Sequence, residues 1–226
     1  MNQLKHMLLN TFVLEDRYLY FLNGLGITLL LTFSSFLLGT ALGVAICSGM
    51  RSGNTAVRRV AGIIKSFFVQ LPTMVLLMIM VYVIFGRSAL PILVIVIVGL
   101  TLKAASYLAE IFDAALSTVQ PGEIEAARTL GMTRWQAFRY VALPQTVAAA
   151  LPLYQNQFVA TMQETSVVGY LAVIDLTRAS SIVSSRTLDA FVGLAVVTIL
   201  YFVIGAVFKQ LLRLLTARRH QGGETT

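Results

Sequence analysis

From Leu19 to Cys47 the chain carries no charged residue. Crossing about 30 Å of hydrocarbon takes roughly 20 apolar residues in a helix, and a single segment can satisfy its own backbone groups in lipid only as a helix. This stretch is therefore read as a membrane span. It is too long for the apolar part of a cleavable signal peptide, and the segment ahead of it, Met1 to Arg17, is polar and mixed in charge. The first span is expected to act as an uncleaved signal. Composition extends the reading to the whole chain, because 57% of the 226 residues are hydrophobic and only 12% are charged, well outside the range of soluble globular domains. One polytopic transmembrane domain over residues 1–226 is expected.

Five spans follow, at about 19–47, 67–85, 92–112, 145–174 and 190–212. Gly39 and Gly43 in the first have the four-residue spacing that lets helix backbones approach closely. A basic link with Arg51, Arg58, Arg59 and Lys65 precedes the second span, which has Pro72 near its start. Gly86 to Pro91 reads as a short turn, and the third span contains Lys103 and Glu110. The fourth region is the least regular, holding Pro152, Gln155, Asn156, Gln157, Gln163 and Glu164, so it reads as a span lining something polar. Polar residues from Asp175 to Asp189 separate it from the last span, which runs into Lys209, Arg213, Arg218 and Arg219. With the basic loops and tail on one side, the topology is N-out, C-in.

The net charge of +7 is distributed over the ends of apolar segments and forms no single basic face, which argues against nucleic acid as a partner. Cys47 is alone and reads as a packing residue. His6 and His220 are expected on opposite membrane faces, so neither a shared metal site nor a histidine pair for catalysis is available. The chain has no Gly-x-x-x-x-Gly-Lys-Ser/Thr phosphate loop, so any ATP and its magnesium belong to another subunit and this chain needs no cofactor of its own. No internal repeat of 20 to 50 residues is visible, which fits half of a dimer better than a carrier built from inverted halves.

The polar stretch Gln120 to Pro144, QPGEIEAARTLGMTRWQAFRYVALP, is expected to form two short helices. Pro121 suits a first helical turn, Glu123 and Glu125 favour its positive end, and Ala126 and Ala127 give high propensity with little bulk. Gly131 supplies the left-handed residue that ends the first helix, Thr133 with Gln136 forms a capping box that starts the second, and Pro144 is expected to stop it. On physical grounds alone this hairpin is either a solvated connector or a wedge that docks into a partner's groove.

Glu125-Ala126-Ala127, then Gly131, then Leu143-Pro144 resemble the EAA loop of permease subunits of bacterial ATP-binding-cassette (ABC) importers. Tyr107-Leu108-Ala109-Glu110-Ile111, Leu143-Pro144-Gln145 and Gln163-Glu164-Thr165-Ser166 extend the likeness to the polar amino acid subfamily over most of the chain. The resemblance implies an all-α permease of five spans in the bacterial inner membrane, paired with a second permease subunit in a homo- or heterodimer. It also implies two ATPase subunits gripping Gly122, Glu123, Glu125, Ala126, Ala127, Gly131 and Pro144, and an extracytoplasmic solute-binding protein that delivers the amino acid. The chain itself is then a non-catalytic transducer. Three departures are visible: Phe68-Val69-Gln70-Leu71-Pro72 stands where the family often has Phe-Arg-Gly-Thr-Pro, Asp113 where it has a basic residue, and Gln163-Glu164 where it has Lys-Asp.

Charges held in hydrocarbon cost a few kcal/mol each on insertion scales, so each needs a partner, a cavity or the interface. Lys103 and Glu110 lie two helical turns apart on one face; they either line a path for a zwitterion or serve the bundle and the loop. Glu164, with Gln163, Thr165, Ser166 and Asn156, either lines a water-filled path or ends a helix. Two other classes stay open on these residues: a proton-coupled secondary carrier or channel, and an ABC importer for another small solute such as methionine.

Overall fold

The computed structural model describes residues 17–220, with side chains through residue 214, so His6 and most of the expected leading segment lie outside the described residues. The described chain is helical. In order the elements are α1 (Tyr18–Met50), α2 (Thr55–Gln70), α3 (Thr73–Met78, continued by a π-turn, Ile79–Ile84) and α4 (Ile92–Ser117). Next come α5 (Pro121–Thr129), α6 (Arg134–Ala137, continued by a π-turn, Phe138–Ala142), α7 (Leu143–Glu164, continued by a 3-10 turn, Thr165–Leu171), α8 (Leu176–Thr187) and α9 (Ala190–His220). Three stretches, Tyr18–Met50, Ile92–Ser117 and Ala190–Leu214, are each long and apolar enough to cross a bilayer, and the number rises to five when two bent helix pairs are counted as one span each. At 33 residues α1 is roughly 50 Å long, well beyond the hydrocarbon thickness.

The second expected span differs from the sequence reading. Helix α2 begins at Thr55, where the Asn54 side chain accepts from the Ala56 amide at 2.9 Å, so most of the basic link is helical. It ends at Leu71, whose φ of −70° and ψ of 130° are extended. Pro72 is the cause: a residue before proline is pushed out of the α region, and proline has no amide hydrogen to return to the carbonyl four residues back. The expected stretch 67–85 is therefore two helices.

The fourth expected span, 145–174, begins as α7 at Leu143, tightens into the 3-10 turn after Glu164, and ends at Ala172 in the left-handed region, φ 62°. Pro144 does not stop the preceding helix. The π-turn before it lets the Leu143 amide reach back five residues to the Phe138 carbonyl, and the widened turn accommodates a ring that would otherwise strike the carbonyl four positions earlier. The polar stretch 175–189 is also helical over most of its length, as α8, with the Asp175 carboxylate accepting from the Thr177 and Arg178 amides at 3.1 and 3.0 Å.

Two compact units make up the chain. One comprises the residues up to Ser34, Thr73–Gly99 and Phe158 onward. Its core gathers Phe21, Leu176, Val183 and Val197, and the Thr28 hydroxyl accepts from the Leu176 amide at 3.0 Å. Phe158 and Phe208 stack with their ring centroids 3.4 Å apart.

The other unit, Ser35–Pro72 with Leu100–Gln157, is built on the close approach of α1 and α4 that the glycine spacing predicts. A Cβ on Gly39 would lie 2.9 Å from the Ala104 Cβ, and one on Gly43 would lie 3.0 Å from both the Ala105 carbonyl oxygen and the Leu108 Cβ. Where α1 ends, the Arg51 guanidinium donates to the Asp113 carboxylate at 2.7 Å, to the Asp113 carbonyl at 2.8 Å and to the Ser117 hydroxyl at 2.6 Å. The departure at Asp113 is thus matched by a cation on the neighbouring helix.

Candidate functional site

The hairpin after α4 forms as its local chemistry predicts. Pro121 takes the first position of α5, Glu123 sits in the positive first turn and Arg128 in the negative last turn. At the other end the Gly131 amide donates to the Arg128 carbonyl at 3.1 Å and the Met132 amide to the Ala127 carbonyl at 3.2 Å. With Gly131 at φ 89°, this is the Schellman stop, in which a left-handed residue turns the last amides back onto orphaned carbonyls. Thr133 and Gln136 then form the reciprocal capping box: the Gln136 amide donates to the Thr133 hydroxyl at 3.2 Å and the Thr133 amide to the Gln136 side-chain carbonyl at 2.8 Å.

Small residues close the hairpin. Ala127, Ala137 and Ala142 are buried, and the Gln145 side-chain amide donates to the Glu123 carboxylate, tying the first turn of α5 to the start of α7. Gly122, Glu125, Ala126, Gly131 and Pro144 are all exposed. So are three large side chains that the sequence reading did not single out: Leu130 at 82%, Trp135 at 65% and Tyr140 at 65%. Exposed aromatics on a capped, preorganised element are the composition of protein-interface cores. Their signal in the sequence was the pair Trp135 and Tyr140, each beside an arginine, Arg134 and Arg139, in a polar stretch.

The charges of the third expected span separate. Lys103 is 3% exposed, and its ammonium donates to the carbonyls of Phe68 and Val69 at 3.0 Å each and to that of Leu71. Pro72 explains this: the Phe68 carbonyl would take its helical hydrogen bond from residue 72, which has no donor. Lys103 supplies the missing protons at the negative end of α2. One turn on, the Tyr107 hydroxyl reaches the Val69 carbonyl at 3.4 Å. Glu110, by contrast, is exposed and faces Lys65 of α2 at 3.6 Å. Both of these charges are therefore directed to α2.

Among the other path candidates, Gln163 and Ser166 come together on the wall of a cleft of about 590 Å³, with Thr198, Tyr201 and Lys209 of α9. Lys209, read from the sequence only as the end of the last span, thus adds a cation to this wall. Thr165 is fully buried, and its hydroxyl donates to the Met162 carbonyl at 2.7 Å. Glu164 is half-buried and Asn156 exposed. The arrangement sets polar donors and acceptors and one cation on the wall of an otherwise apolar cleft.

Comparisons with known proteins agree on one class. The model of the family described as "Binding-protein-dependent transport system inner membrane component" matches residues 36–221. A probable amino-acid permease protein of Bacillus subtilis, YxeN, is 31% identical over 83% of this chain and 85% of its own length. The histidine/lysine/arginine/ornithine transport system permease protein HisM of Salmonella typhimurium is 30% identical over 86% of this chain and 87% of its own. Among solved structures, an amino acid ABC transporter crystallised with histidines superposes with a TM-score of 0.79 at 32% identity, covering 88% of this chain and 94% of that one. The methionine ABC transporter MetNI in an inward-facing form gives 0.70 at 23% identity over 88% and 97%, a likeness of fold.

Proposed function

Because the chain belongs to the family of binding-protein-dependent transport inner membrane components, as a membrane-embedded permease subunit of an ABC importer, we propose that its cargo is a polar amino acid. An extracytoplasmic binding protein delivers the cargo, and partner ATPases holding ATP and magnesium supply the energy. The names of the relatives support the substrate class. In this reading residues 1–226 are one non-catalytic permease domain of five spans, N-out and C-in, working beside a second permease subunit in a bacterial inner membrane.

The observation that carries the energetic half is the hairpin of residues 120–144. Its central turn is fixed on one side by the Schellman stop of α5 and on the other by the capping box that starts α6, and Leu130, Trp135 and Tyr140 are presented to solvent along it. A rigid wedge with an apolar tip is what an ATPase groove can hold and move. Closure of two ATPases then displaces the hairpins and rocks the bundles between inward and outward access. For the cargo path we favour Gln163 and Ser166 beside Lys209, with Glu164 and Asn156 as further candidates. Lys103, Glu110 and Thr165 are assigned to holding helices in place.

Gly131→Val tests the hairpin. A β-branched residue at φ 89° is strained by about 1–2 kcal/mol, enough to loosen the turn without unfolding the spans. The expected outcome is a permease made at normal levels in the membrane that co-purifies with markedly less ATPase and shows reduced ATP-driven uptake. Normal co-purification and uptake would remove the hairpin from the coupling role.

A further inference from the structure

Helix α2 carries a feature that neither packing nor the transport reading uses. Along one side, Arg58, Arg59, Gly62, Ser66 and Gln70 line a shallow groove of about 640 Å³ that opens beside Met50 at the end of α1. Neither the Arg58 nor the Arg59 guanidinium makes a hydrogen bond or ion pair among the described residues, in contrast to the Arg51 and Lys65 side chains. No acidic residue lines the groove, and none occupies the first turn of α2. Two arginines at the positive end of a helix raise the local potential where the backbone already makes it positive. Lys65, which also lines the groove, faces Glu110; the two arginines have no such counter-charge, which suits the groove to an anion.

Next to this basic stripe, Val60, Ile63, Ile64 and Phe67 form an exposed apolar stripe, Ile63 at 67% and Phe67 at 56%. An anionic head and an apolar body are thus called for side by side on one helix. We propose that this groove binds an anionic phospholipid of the cytoplasmic leaflet, its phosphate between Arg58 and Arg59 near Ser66 and its acyl chains along Ile63 and Phe67. Gly62 leaves room for the headgroup, since a Cβ there would meet nothing within 4 Å. The lipid would fix the start of α2, whose far end is held by Lys103, at the depth of the membrane surface. This rests on the orientation proposed above, but lipid retention is read without transport, so its failure and the failure of the transport reading are separable.

The test is native mass spectrometry of the assembled transporter from nanodiscs holding phosphatidylglycerol and phosphatidylcholine. The wild type is expected to retain phosphatidylglycerol selectively, undisturbed by millimolar inorganic phosphate. At about a factor of five per lysine or arginine near an anionic surface, Arg58→Gln with Arg59→Gln should weaken retention about 30-fold, while Arg58→Lys with Arg59→Lys should keep most of it. Gly62→Trp, which fills the groove and leaves both charges, should also displace the lipid and serves if the double variant is poorly made. Three results would overturn the proposal: unchanged retention in the glutamine and tryptophan variants, equal retention of phosphatidylcholine, or displacement by inorganic phosphate. A fourth is dissociation of the transporter's subunits in the glutamine variant with lipid retention intact, which would make the face a protein interface.

Discussion

Replacing Lys103 by methionine is expected to be among the most damaging single changes in this chain, although the new side chain is of similar length and better suited to hydrocarbon. The loss comes from what is left behind. Three carbonyls, those of Phe68, Val69 and Leu71, receive protons from this one ammonium, and Pro72 denies the first of them a helical donor. The Val69 carbonyl keeps the Tyr107 hydroxyl at 3.4 Å, but each buried acceptor left without a partner costs about 1–3 kcal/mol, so the other two together cost about 2 kcal/mol or more, a large part of a typical domain's stability. The expected result is a sharply lower yield of folded permease and a melting temperature in detergent well below the wild type. Lys103→Arg, which keeps donors with a different shape, should fall between. Lys65→Gln breaks only a partly exposed pair at 3.6 Å and should cost under about 1 kcal/mol. A methionine variant as stable as the wild type would mean that the ammonium is not the cap of α2.

A comparable loss is expected from enlarging the glycines where α1 meets α4. The Cβ alone would come to 2.9 Å from Ala104 at Gly39 and to 3.0 Å from a carbonyl oxygen and from Leu108 at Gly43. These neighbours are backbone or first side-chain atoms, which cannot swing away, so a leucine forces the helices apart. Overpacking of this kind costs about 1–3 kcal/mol per site, and more when backbone must move. Gly39→Leu with Gly43→Leu should therefore abolish recovery of a monodisperse permease. Gly26→Leu is the control, because a Cβ there meets nothing within 4 Å, and it should be recovered normally. The comparison is read by size-exclusion profile and thermal melt. Equal behaviour of the two variants would contradict close packing of α1 on α4.

The sequence reading reached furthest where one residue's chemistry decides one turn. The hairpin is the best case: Pro121, Gly131, Thr133 and Gln136 each act within four residues, and each took its expected position. The long apolar helices α1, α4 and α9 were legible for a different reason, since lipid leaves a long, predominantly apolar run no alternative to a helix. The break at Leu71 was harder to see, because Pro72 near the start of an apolar run reads as a helix start when its consequence lies on another helix, at Lys103. Pro144 misled in the opposite direction. A proline ordinarily ends a helix, and nothing local announces the π-turn that lets one continue.

The same distinction runs through the candidate site. Lys103 and Glu110 share a face of α4, but sequence spacing says nothing of what that face meets, and both met α2. Gln163 and Ser166 were singled out by polarity in an apolar region, whereas Lys209 joins them only through the packing of α9. Arg51 and Asp113 are 62 positions apart, and their ion pair could not be found from either residue alone.

The central claim is that this permease moves a polar amino acid only when a partner ATPase drives it through the hairpin of residues 120–144. Uptake into proteoliposomes holding the permease, its ATPase and the binding protein measures it most directly, with labelled amino acid outside and either ATP inside or a proton gradient alone. The account predicts uptake that requires ATP, the ATPase and the binding protein, and that is indifferent to the gradient. Uptake driven by a proton gradient in the absence of the ATPase would contradict it.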